Sequence, residues 1–300
     1  MTNKLLFHYC GSPTGFAILQ SRTFRLSPLS AANDSLEGRV LGQVFGHLLE
    51  TSGLPPEVRD FAKVVVEGYA DSTEGFAFCL SEKADLLSQW RAYGDDGSGI
   101  AIGFSPEVLI QDYGMVNFGA KFYELSQVKY GEKCLIETLR PFSEQIGAEF
   151  GQFGTFVRLG CGVTKEQAKQ KMADAATISK GIFMTDDKHS RDIVKRFIDA
   201  LSPLHFQIYH TKPDSFYEEC EWRILRFRHR VALPEIEYCA SNDSIKPYIP
   251  CLIADQAKDA VQEVILGPKN RTNINWMRAF LTSIGLQHVA VRRSDIASYR

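Results

Sequence analysis

The residues best suited to chemistry in this chain are two glutamates, Glu219 and Glu221, in the run Glu218-Glu219-Cys220-Glu221-Trp222-Arg223-Ile224-Leu225. Read as a strand over 219–226, the run places Glu219, Glu221 and Arg223 on one face and Cys220, Trp222 and Ile224 on the other. Residues two apart on a strand stand about 6.6 Å apart, and that spacing suits one sugar held between two acidic groups. The same residues read equally well as an edge strand with a solvated charged face. A second candidate lies far upstream, where His8 and Tyr9 end an apolar run just before Gly11-Ser12-Pro13. Strand ends that meet loops often carry site residues, although a lone histidine is more often structural.

Trp90-Arg91-Ala92-Tyr93, followed by a Gly-rich loop from Gly94 to Gly99, resembles a phosphate cradle, with Arg91 able to fork onto phosphate. It matches neither dinucleotide nor Walker-type spacing. Trp90 reads as a core aromatic, and Asp95-Asp96 as a solvated turn. Arg223, Arg226, Arg228, His229 and Arg230 form a basic stripe in which 226, 228 and 230 share a strand face, a pattern fit for phosphate contacts in a non-catalytic nucleic-acid or protein-binding module. A metal-dependent nuclease built on Glu219, Glu221 and an aspartate is a third reading, but no spaced acidic set stands out and no metal ligands are assigned. The chain has no G-x-S-x-G elbow and no H-E-x-x-H helix.

Composition bounds these readings. The chain has 300 residues, 44% of them hydrophobic, and a net charge of -2, which describes an ordinary soluble chain with no general pull toward nucleic acid or anionic membrane. Its seven cysteines are odd in number and contain no C-x-x-C pair, so neither a disulfide framework nor a zinc site is expected and a reducing cytoplasm is the natural compartment. Residues 1–11 do not read as a secretory signal, and no apolar run approaches the roughly 20 residues that span a bilayer.

The elements that must position these residues follow from periodicity and turn signals. Strands are expected at 5–10, 24–27, 76–81, 100–104, 118–123, 126–130, 219–228, 231–239, 261–266 and 288–292. Helices are expected at 14–20, 36–50, 55–70, 84–93, from Ser105-Pro106-Glu107 onward, and at 272–284. Residues 132–212 read as a mainly helical insertion, with Gly151–Phe156 left open between loop and helix break. Gly267-Pro268-Lys269-Asn270 reads as a turn. Strands scattered among helices of unequal length point to a single α+β domain over 1–300, with mixed, mainly antiparallel sheets.

An ordered set of stretches resembles the bacterial domain-of-unknown-function family 2971. The set is Phe7-His8-Tyr9, Leu26-Ser27 through Asn33-Asp34 to Glu37, Cys79-Leu80-Ser81, Gln89 to Tyr93, Gly99 to Phe104, Tyr217 to Arg223, and Val264 to Pro268. Arg91-Ala92 stands where that family often has Ser-His, and Ser35 where it often has proline. A looser resemblance, carried by His8 on the first strand, a following strand that ends in Ser27, and the late E-x-E, is to ADP-ribosyltransferases. That likeness implies a split central sheet and NAD as a substrate cleaved at the nicotinamide ribose, by transfer or by hydrolysis. It further implies that Glu221 is the essential carboxylate, that Glu219 orients the nucleophile, and that His8 and Ser27 lie against NAD. Tyr9 or Tyr93 is expected to stack on nicotinamide and Arg91 to meet the pyrophosphate. A toxin or phage-defence effector acting on a macromolecule is the matching role, with no membrane partner.

Overall fold

The computed structural model describes residues 4–31, 39–54, 73–113, 124–150, 209–229, 236–241, 244–253 and 259–296, with isolated helical residues within 56–63 and 196–207. The strands expected at 118–123, most of the helix expected at 55–70, Asn33-Asp34 and Gly151–Phe156 lie outside the described residues.

The first third runs β1 (Leu6–Cys10), α1 (Ser12–Ser21), β2 (Thr23–Pro28), α2 (Arg39–Thr51), β3 (Thr73–Ser81), α3 (Leu87–Ala92) and β4 (Ile100–Phe104). It continues through α4 (Pro106–Tyr113), β5 (Glu124–Gln127), β6 (Lys129–Tyr130), α5 (Glu132–Phe150) and β7 (Thr211–Lys212). A 3-10 turn (Asp214–Glu219) then leads into β8 (Glu221–His229), β9 (Glu237–Ser241), β10 (Ser244–Leu252), β11 (Val261–Leu266), α6 (Ile274–Ser283) and β12 (Ala290–Arg293). The described strands form a ten-stranded sheet plus the two-stranded β6–β7 ladder. Pairing is antiparallel except at β11–β12 and β6–β7, so the expected α+β class with a mainly antiparallel sheet is what the chain adopts.

Two local readings change. The strand expected from 219 begins at Glu221, because Cys220 is held in the left-handed region (φ 42) and breaks the extended run. Strand β10 lies in a stretch for which no element is expected from sequence, and it contains Pro247 and Pro250, residues that cannot donate to a ladder. It nevertheless pairs with β9 and β2, Pro247 opposite Tyr238 and Pro250 opposite Arg25.

β3 organises the sheet. One edge pairs with β8 over nine registered positions, from Thr73 opposite His229 to Ser81 opposite Glu221. Its other edge is shared: Ser81 faces Phe7 of β1, while Ala77 and Phe76 face Ser27 and Pro28 of β2. The sheet therefore forks along this edge, with β1-β4-β11-β12 as one arm and β2-β10-β9 as the other. Registered partners share a face. On one face Leu6, Leu26, Phe76, Phe78, Leu80, Ile102 and Ile224 join the main apolar core. On the other, Ala77 and Leu225 pack with residues of α2 and α5, and Phe7, Tyr9 and Ala101 pack with Trp90.

Candidate functional site

The backbone groups along one strand edge belong to alternate residues. On the forked edge of β3 these are Ala77, Cys79 and Ser81; the first answers to β2, the third to β1, and Cys79 to no registered strand residue there. His8 fills the gap. Its Nδ1–H donates to the Cys79 carbonyl at 2.8 Å, and its ring stacks on Phe78 with centroids 4.1 Å apart. The bond makes Nδ1 the protonated nitrogen and leaves Nε2 as an acceptor. Enclosure by protein pushes the imidazole down to about 4, which the carbonyl bond offsets only in part, so the ring is neutral at pH 7. His8 is only half-buried and Cys79 is exposed. Burial raises the Cys79 thiol well above its usual range.

Glu221 heads β8 on the face that carries Cys79 and Ser81. Its carboxylate is clamped by Arg223, Nε to Oε1 at 2.8 Å and Nη2 to Oε2 at 3.1 Å, and by Lys212 Nζ to Oε2 at 2.8 Å. Burial alone would raise Glu221, but the Arg223 and Lys212 cations overcome that and hold it at about 2. Arg223 Nη1 donates to the Tyr209 carbonyl, and the Glu221 N–H to the Tyr130 hydroxyl.

Glu219 lies at the end of the 3-10 turn, not on β8, so the paired carboxylates do not share a strand as the spacing implied. They are joined instead through Lys212, whose Nζ also lies 2.8 Å from Glu219 Oε2. Tyr93 donates to Glu219 Oε1 at 3.0 Å, and Ser81 Oγ to the Glu219 carbonyl at 2.6 Å. Lys212 is 8% exposed; burial alone would lower its pKa, but Glu221 and Glu219 raise it, and the ammonium is retained. Two carboxylates thus meet two cations in a nearly dry cluster. Among the described residues, no group of three or more His, Cys, Asp or Glu side chains is placed to hold a metal ion.

The remaining candidates separate. Tyr9 is 5% exposed, donates to the Lys83 carbonyl, accepts from the Leu86 N–H, and packs edge-on against Trp90. It is a core residue whose ring and hydroxyl are committed, so it cannot stack on a ligand; it lies on the sheet face of Glu221, and His8 on the other. Trp90, 0% exposed and bonded to Asp85, is core as expected. Tyr93 and Arg91 are exposed at the end of α3, and Ser27 is exposed on β2 opposite Ala77, at the other arm of the fork.

The Gly94–Gly99 loop does not offer a phosphate cradle. The N–H groups of Gly97, Ser98 and Gly99 donate to carbonyls within the loop or of Trp90, and Gly99 and Gly97 carbonyls accept from Gly267 and Lys269. Asp96 pairs with Lys269 at 2.6 Å. The basic stripe loses two members as well, since Arg223 and Arg226 are each 1% exposed. Lys212, Cys79 and Tyr130 escaped the sequence reading. Lys212 precedes Pro213-Asp214 and carries no local mark beyond a loop signal.

Residues 89–224 match the family model described as Protein of unknown function (DUF2971). The match takes in the helix of Tyr93, Lys212, both glutamates and Arg223, and it bears out the resemblance to that family, over a shorter stretch than the sequence motifs span. No curated protein and no solved structure matches the chain.

Proposed function

We propose that the fork is the binding cleft of an NAD-consuming enzyme, an ADP-ribosyltransferase or NAD glycohydrolase, that breaks the bond between nicotinamide and ribose. The observation that carries the reading is the carboxylate cluster beside the forked strand: Glu221, opposite Ser81, is held ionised by Arg223 and Lys212, and Glu219 is tied to the same ammonium. Departure of nicotinamide leaves an oxocarbenium-like ribose, and a fixed anion beside it lowers the barrier. Glu221, ionised across the physiological range, is that anion. Glu219, nearer solvent and bonded to Tyr93, orients the incoming nucleophile, either water or a macromolecular acceptor. His8 offers Nε2 to a ribose hydroxyl, Tyr93 an aromatic face to nicotinamide, and Ser27 and Arg91 polar contacts along the dinucleotide. A toxin or phage-defence effector that drains or redirects NAD is the role that suits such chemistry.

The test is nicotinamide release from NAD by wild type and by Glu221→Gln, each checked for folding by circular dichroism. Release should fall by about 10²–10³-fold in the variant. Equal release by both proteins, or no binding of NAD by wild type, contradicts the reading.

A further inference from the structure

We propose that Lys212 is the positioning residue of this site, the group that ties the carboxylate on the 3-10 turn to the carboxylate at the head of β8. The turn Asp214–Glu219 has no fully buried residue; Phe216 is half-buried, with the Lys212 ammonium 5.2 Å from its ring centroid. What holds its end is polar: Lys212 and Tyr93 on the Glu219 carboxylate, and Ser81 on the Glu219 carbonyl. Of these groups, Lys212 alone also touches Glu221. An ammonium carries three donors on a single point and can serve two carboxylates at once. Arg223 is committed elsewhere, with its fork on Glu221 and its Nη1 on the Tyr209 carbonyl.

Lys212 is placed by the short ladder, which follows β5 and is joined to β8 by the Val128 N–H on the Glu221 carbonyl. It sits on β7, opposite Tyr130 of β6, and the Tyr130 hydroxyl accepts the Glu221 N–H. The short ladder, the turn and β8 therefore converge on one cation. The charged and titratable groups around it are Glu219 from the turn, Glu221 and Arg223 from β8, Tyr93 from the end of α3, Tyr130 from β6 and Cys79 from β3. Without the cation, Glu219 and Glu221 repel each other, the turn is freed, and the Glu221 carboxylate takes up its proton at higher pH.

The kinetic arm of this proposal rests on the NAD reading, and the structural arm does not. Hydrogen exchange of the intact chain is measured for wild type, Lys212→Met and Lys212→Arg, together with kcat and KM for nicotinamide release across pH. In Lys212→Met, residues 214–220 should exchange faster while β3 stays protected. For the same variant kcat should fall about 10–100-fold with little change in KM, and the acid limb of the rate profile should move to higher pH. Lys212→Arg, which keeps the charge, should lose less. Unchanged exchange at 214–220, or an acid limb that does not move, overturns the proposal. If wild type releases no nicotinamide, the NAD reading fails and exchange alone decides the positioning role. Should Lys212→Met not fold, Glu219→Gln reports the same link from its other end; it should loosen 214–220, and unchanged exchange there overturns the proposal.

Discussion

At the scale of single residues, the site is defined by groups whose ionisation the fold has set. His8 and His210 are both pushed down to about 4 by burial, and Ser126 Oγ lies 2.6 Å from His210 Nε2. Both rings stay neutral in the folded chain and take a proton near 6.5 once unfolded. Between those values the unfolded chain binds more protons, so the stability they contribute is complete above about 6.5 and is lost as pH falls toward 4. Glu221 works in the same direction further down: its folded value of about 2 lies below the unfolded one, so its contribution fades as pH drops from the ordinary carboxylate range toward 2. The urea midpoint should therefore fall steadily below pH 6.5, and His210→Gln should flatten the part above pH 4. A midpoint that rises on acidification would contradict these assignments. That Glu221 is a site carboxylate candidate was legible from residue types, but His8 lies on the opposite sheet face from it, and Tyr9, on the Glu221 face, is buried against Trp90.

At the scale of elements, β3 and the clamp of loop 94–99 on turn 267–270 set where the site stands. Asp95 and Asp96 adopt left-handed conformations (φ 51 and 47), followed by Gly97 (φ 82). Asn270 Nδ2 donates to the carbonyls of Ser98 and Gly99, and loop and turn lock together. Gly99 is required there, because a Cβ at that position would lie 2.1 Å from the Cys10 carbonyl oxygen at the end of β1. Gly99→Ala should destabilise the chain by about 2 kcal/mol or more, measured from denaturant midpoints, because backbone at such a contact cannot move aside. A cost near zero would mean that the β1 end is free to shift. The strands β1, β3, β4, β8 and β11 were legible from their apolar runs. β10 was hidden by its prolines, and the start of β8 by Cys220, whose left-handed backbone has no glycine to announce it.

At the scale of the molecule, function depends on long-range pairings that no local pattern announces. His8 meets Cys79 across 71 positions of sequence, and Lys212 joins a ladder, a turn and a strand. The α+β class followed from the alternation of elements. The fork did not, because it exists only where β1 and β2 claim different ends of one β3 edge. NAD is proposed to enter at that fork, on the sheet face that carries Glu221. Cys79 can report on the fork because it is exposed while Cys10 and Cys251 are buried; its raised thiol reacts slowly, so labelling is followed at alkaline pH. The most direct measurement is the rate at which a small alkylating reagent labels Cys79, followed by peptide mass spectrometry with and without NAD and with Cys134 as internal reference. The account predicts that NAD slows labelling of Cys79 and leaves Cys134 unchanged. Labelling of Cys79 at the same rate with saturating NAD would contradict it.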